Sequence, residues 1–141
     1  TRRSSDLTEF PAVLADHLCA YSKEEYDNAG TFLPRAIARA AEVRAFYDGA
    51  SPLLVVGVDR AGLCGARPTL WFLLCRGFRM RHLRAAKAEV VALVQRHNGL
   101  QVLIEDSFIE GRKLVRFLGF ERTNITHRLF NGRDYTLYEA L

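Results

Sequence analysis

Five basic side chains, Arg76, Arg79, Arg81, Arg84 and Lys87, fall within one short stretch of the sequence. An arginine guanidinium is a planar fork that grips phosphate or carboxylate through two parallel hydrogen bonds. The cluster therefore suits phosphate groups, nucleic acid or an acidic patch on another protein, beside the plain alternative of a solvated helix face. A single-stranded nucleic-acid surface would interleave aromatics with the cations, and only Phe78 does so here. Cys75 would act as a nucleophile only with a histidine within hydrogen-bond reach, and the candidate, His82, lies a helical turn or two further on. His17, His82, His97 and His127 show no ligand spacing with cysteine or carboxylate, so no metal is expected. The three cysteines, Cys19, Cys64 and Cys75, are odd in number and contain no CxxC pair, which fits reduced thiols better than a disulfide framework or a zinc site.

The chain that must position these groups has 141 residues, which fits one domain, 1–141. Hydrophobic residues at 49% and charged residues at 26% allow a buried core and exclude the composition of disorder. The net charge of +4 favours anionic partners weakly. Seventeen of the twenty basic residues are arginine, a bias that genome base composition can also produce. The longest uncharged apolar run, Pro68–Cys75, is far shorter than the roughly 18 residues of a spanning helix, and no signal-peptide pattern opens the sequence. A soluble, non-secreted protein without a membrane partner is expected.

Helices are expected first. Asp6 can cap a helix from about Leu7 to Tyr21, whose Leu7, Phe10, Leu14, Leu18 and Tyr21 recur at three- and four-residue steps; Thr1–Asp6 can hold at most a short edge strand. Ser22 with Glu25 reads as a capping box for a short helix towards Gly30, and Thr31–Arg44 reads as a further amphipathic helix. Strands are then expected over Arg44–Asp48 and Leu53–Val58, flanking a Gly- and Pro-containing turn, and over the apolar run Thr69–Cys75, placed mid-sheet with Trp71 and Phe72 in the core. Asp59–Pro68 between them reads as a loop. Phe78–His97 is the clearest helix, with Leu83, Ala86, Val90, Leu93 and Val94 on one side and Asn98-Gly99 as its C-cap. A strand Leu100–Glu105, a helix Ile109–Leu118 closed by Gly119, and strands Phe120–Leu129 and Arg133–Glu139 joined at Asn131-Gly132 complete an α/β (α+β) layer structure around a mixed sheet.

This order, with a basic helix after the most apolar strand and a terminal Leu-Gly-Phe after a short helix, resembles the GCN5-related N-acetyltransferase fold. The resemblance spans nearly the whole chain and is carried by Thr69–Cys75, by Arg76–His97, by Leu100–Ser107 and by the run Lys113–Phe120. Within that fold the sequence is most similar to divergent bacteriophage members, among them the internal virion protein A of short-tailed phages, through its Trp-hydrophobic strand, its Arg-rich helix and the run from Phe117 through Gly119-Phe120 into Asn131-Gly132.

The resemblance implies that acetyl-CoA, if used, lies between the strands Leu70–Cys75 and Leu100–Glu105, with its pyrophosphate on the N-terminus of the following helix. The residues it assigns to the cofactor are Leu74, Cys75, Arg76, Gly77, Arg79, Met80 and Arg81. The family's Gln/Arg-x-x-Gly-x-Gly/Ala loop uses glycines to let the backbone close on phosphates. Here, aligning Arg76 or Arg79 as the first residue places Arg79 or His82 where the first glycine belongs. The position of the family's tyrosine general acid, four before Gly119, is Val115, which has no proton to give. Candidates for the amine-side base are Glu105 and Asp106 at the end of the splayed strand, against the alternative of a solvated strand end. These departures lead to the expectation of a catalytically degenerate phage protein. It would act as a virion or assembly component, bind other phage virion proteins or its own copies, reside in the virion or host cytoplasm, and need no cofactor. The alternative is an acetyl-CoA-dependent N-acetyltransferase acting on an amine or protein. A third reading makes the basic helix a DNA-contacting face.

Overall fold

In the computed structural model the described residues are 2–3, 18–19, 22, 40–60, 67–129 and 132–141. The elements are β1 (Arg2–Arg3), β2 (Ala40–Asp48), β3 (Ser51–Asp59), β4 (Thr69–Leu74), α1 (Leu83–Arg96), β5 (Leu100–Glu105), α2 (Ile109–Phe117), β6 (Glu121–Arg128) and β7 (Asp134–Ala140). The strand order is β1-β2-β3-β4-β5-β7-β6, with β4 and β5 parallel, so the mixed α/β sheet expected from the sequence is the one that forms. The chain divides into two compact units. One holds the described residues up to Arg60 together with Trp71–Arg79, and the other holds those of Ala61–Leu70 together with Met80–Leu141.

In the first unit β2 and β3 form an antiparallel hairpin that closes with Asp48 opposite Ser51, leaving Gly49 and Ala50 as a two-residue turn. Pro52 to Val58 is buried without a break, the mark of a strand covered on both faces. Leu18, Val43, Ala45, Val55, Leu73 and Cys75 make the core, and the period of two along β2 and β4 puts Val43 with Ala45, and Leu73 with Cys75, on one face. Trp71 and Phe72, expected in the core, are half-buried. The Trp71 indole lies directly on Gly57, where a Cβ would overlap its ring. Leu18 bridges Cys75, Cys19 N–H donates to Leu74 O (2.8 Å), and Leu74 N–H donates to the Ser22 hydroxyl (3.1 Å).

One sequence expectation is corrected here. Residues 40–44, assigned to the end of a helix, are strand: the pairing of Val43 with Gly57 and of Ala45 with Val55 outweighs the helix preference of the alanines. The Ser22 hydroxyl accepts from Leu74 N–H, while Glu25, its expected capping partner, lies outside the described residues. Most of the three N-terminal helices lie outside them too, as do Cys64 and Asn131.

In the second unit β5 pairs with β7 and β7 with β6, all antiparallel, and Thr69 pairs parallel to Gln101. Helix α1 begins at Leu83 rather than Phe78, because Met80–His82 form a 3-10 turn with no buried residue to anchor an α-helical start. Its buried side is Ala86, Val90, Leu93 and Val94, as the spacing predicts, and Leu83 is half-buried. Asn98 and Gly99 take left-handed conformations at its end (φ 55° and 108°). Gly119 (φ 101°) does the same after α2, and Phe120 N–H then donates to Val115 O (3.0 Å).

Because the neighbour of Gly57 is a rigid ring rather than a flexible side chain, Gly57→Ala is expected to cost roughly 2–3 kcal/mol, the upper part of the range for overpacked cores. Trp71→Leu in the same chain should recover part of that loss. Urea unfolding checks it; losses that simply add would contradict the packing described.

Candidate functional site

Of the residues assigned to a cofactor, Leu74, Cys75, Arg76, Gly77 and Arg79 belong to the first unit and Met80 and Arg81 to the second. In the first unit, β4 ends in a tight turn in which Phe78 N–H donates to Cys75 O (3.2 Å) and Cys75 N–H to Leu53 O (3.0 Å). Arg76 and Gly77 are exposed at its tip. Arg79 folds its guanidinium back on the turn, Nη1 donating to the carbonyls of Arg76 (2.6 Å) and Phe78 (3.1 Å). The arginine that stands where a glycine belongs in the phosphate loop thus braces its own backbone.

Cys75 is buried, and its thiol is pushed up from 9.0 to about 12, first by burial and then by the neighbouring Cys19, with the Arg76 charge pulling the other way. At neutral pH it is a thiol, the unreactive form.

In the second unit the start of α1 is electrostatically one-sided. No acidic residue lies in its first turn, His82 at the N-cap makes no side-chain capping bond, and Arg81 and Arg84 flank the first turn. A helix N-terminus carries partial positive charge and amide donors, and an acidic side chain usually answers it. Here the sequence adds cations.

The two base candidates sit where β5 ends. Glu105 is buried, with 6% of its side chain exposed, and its carboxylate accepts from Ser107 Oγ (2.7 Å) and pairs with Arg133 (3.4 Å). Asp106 accepts from Thr136 Oγ1 (2.6 Å), and its carbonyl accepts from Arg112 (3.2 Å). The structure brings both carboxylates together with partners that tie β5 to β7 and to the start of α2. Sequence reasoning missed Ser107, Arg133 and Thr136. Only the Glu105-x-Ser107 spacing was visible, since Arg133 and Thr136 lie 28 and 30 residues from their partners. Val115 is fully buried on α2. Among the described residues no group of three His, Cys, Asp or Glu side chains could hold a metal ion, and no helix is long and apolar enough to cross a membrane.

Solved structures share this architecture. A probable acetyltransferase from Staphylococcus epidermidis superposes with a TM-score of 0.68 over 99% of this chain and 96% of its own, at 11% identity. The GNAT domain of S. lividans PAT gives 0.64 over 99% and 89%, at 15% identity. A Bacillus subtilis acetyltransferase in complex with CoA gives 0.60 over 80% and 84%, at 13% identity. No family model and no curated protein matches the sequence. At these identities the likeness is one of fold: the chain has the fold of the GCN5-related N-acetyltransferases.

The buried thiol makes a prediction about stability. Its folded value lies above its unfolded one, so its contribution is complete below about pH 9 and is lost as pH rises towards about 12. Over that window the loss approaches roughly 1.4 kcal/mol per pH unit. Urea unfolding at about pH 8 and about pH 10.5 should show a steeper decline for the native chain than for Cys75→Ala. Equal declines would mean that the thiol is not buried.

Proposed function

We propose that this chain binds acetyl-CoA and acetylates an amine, free or on a protein. The observation that carries this reading is the start of α1, whose first turn holds no acidic residue and whose N-cap makes no side-chain capping bond, beside Arg81 and Arg84; helix amides with arginines are the donor set a pyrophosphate requires. The fold supports it, since one structure that shares it is an acetyltransferase in complex with CoA. Arg81 and Arg84 with the first amides of α1 would hold the pyrophosphate. When bound, acetyl-CoA supplies an acyl group activated as a thioester. Val115 offers no proton, Glu105 is held by Ser107 and Arg133, and Asp106 accepts from Thr136 through Oδ1. The protein contributes position and electrostatics.

A second reading follows from the same engaged carboxylates and from Val115. In it the chain is a catalytically degenerate virion or assembly component of a bacteriophage that meets other virion proteins or its own copies.

Titration calorimetry with acetyl-CoA separates the two. The first reading expects saturable binding that weakens at least tenfold in the Arg81→Ala, Arg84→Ala double variant, since charge-assisted bonds contribute roughly 1.5–3 kcal/mol each. It also expects a rate of amine acetylation that climbs with the free-amine fraction of the acceptor. A native chain that binds no acetyl-CoA overturns it and leaves the second.

A further inference from the structure

The reversal at Gly119 lays the start of β6 back beside the end of α2, and an open groove of about 540 Å³ lies there, lined by Arg112, Arg116, Phe120, Glu121, Arg122 and Tyr138. Arg112 and Arg116 are one helical turn apart and share a face of α2. Arg122 reaches the groove from β6, where it stands opposite Tyr138 of β7. Three guanidinium groups therefore line one groove against a single carboxylate, Glu121.

Three other described arginines of this unit are held by carboxylates. Arg67 pairs with Glu139, Arg133 with Glu105, and Arg128 is gripped by both oxygens of Asp134. Arg112 is steadied by the Asp106 carbonyl. Arg116 and Arg122 are exposed, and among the described residues neither has an ion pair or a side-chain hydrogen bond. Like charges gathered in a concave surface repel one another, and the field they focus there is answered by a bound anion.

We propose that this groove binds a compact polyphosphate, either free or as the phosphate chain of a nucleotide. Its volume lies within the roughly 300–1,000 Å³ of small-molecule sites. Arginine forks match phosphate oxygens in pairs. An acidic peptide fits less well, because same-face carboxylates on an extended strand stand about 6.6 Å apart, whereas a triphosphate concentrates its charge in a much shorter length. Phe120 and Tyr138 are buried and offer little ring face, so a nucleotide base gains nothing from stacking. The groove also stands apart from Glu105. Tyr138 is level with Val102 near the start of β5, whereas Glu105 is at its end.

Calorimetry with inorganic tripolyphosphate tests this on the native chain, on an Arg116→Gln, Arg122→Gln double variant, and on Arg128→Gln as an exposed-arginine control on the same strand. Circular dichroism confirms that each variant folds. The double variant is expected to lose at least tenfold in affinity while the control binds as the native chain does. ATP is expected to bind no more tightly than tripolyphosphate, and tighter ATP binding lost in the double variant would name a nucleotide as the source. No saturable binding to the native chain, or equal affinity in all three proteins, overturns the proposal. So does a chain that ignores tripolyphosphate yet binds a short DNA duplex or a polyglutamate peptide through Arg116 and Arg122, since the groove would then serve a macromolecule.

Discussion

In the second unit each helix must return its chain to the sheet within a few residues, and right-handed backbone cannot make that reversal. The left-handed residues Asn98 and Gly99 do it after α1 and Gly119 does it after α2. Both return the freed amides to the helix they have just left: Gly99 N–H donates to Val94 O, and Phe120 N–H to Val115 O. Nothing stands within 4 Å of a Cβ built on Gly119, so the requirement there is purely one of dihedral angle. The register of β5 on β7, the carboxylates at the end of β5 and the arginines beside β6 all inherit their places from these reversals.

A second theme is how charge is answered. Where a strand end is buried, as at Glu105, the chain supplies a hydroxyl and a guanidinium, because a buried carboxylate without partners would be costly. Where the backbone presents charge at the surface, as at the start of α1, the first turn holds no acidic side chain and the N-cap makes no side-chain bond. The two carboxylates at the end of β5 thus belong with the polar groups satisfied internally.

Much of this was legible in the sequence. The alternation of Leu100–Glu105, the apolar spacing of α1 and the Asn98-Gly99 signal each reflect local physics, and each formed as expected. Residues 40–44 misled because alanines favour a helix locally, while the strand depends on Gly57 and Val55, more than ten residues away. Phe78–His82 misled because the hydrophobic pattern says where a helix can run but not whether its first turn has anything to pack against. At the site, a strand end bearing two carboxylates was visible, whereas Arg133 and Thr136, which decide what those carboxylates do, arrive through the β7 pairing. Arg116 and Arg122 carry no spacing signal that would join them, and the turn at Gly119 brings both to one groove.

Strand β6 is the outermost of the sheet on its side, and its register slips between Arg122 and Thr126. There Thr123 donates its hydroxyl to Leu137 O (2.8 Å) and accepts the Ile125 amide (3.1 Å). The margin is thereby sealed from within: an incoming strand would find its hydrogen-bonding rhythm broken halfway and one amide already spoken for. Templated growth into fibrils is discouraged along this border. A single threonine hydroxyl thus takes up hydrogen-bonding capacity at the border that a neighbouring strand would need.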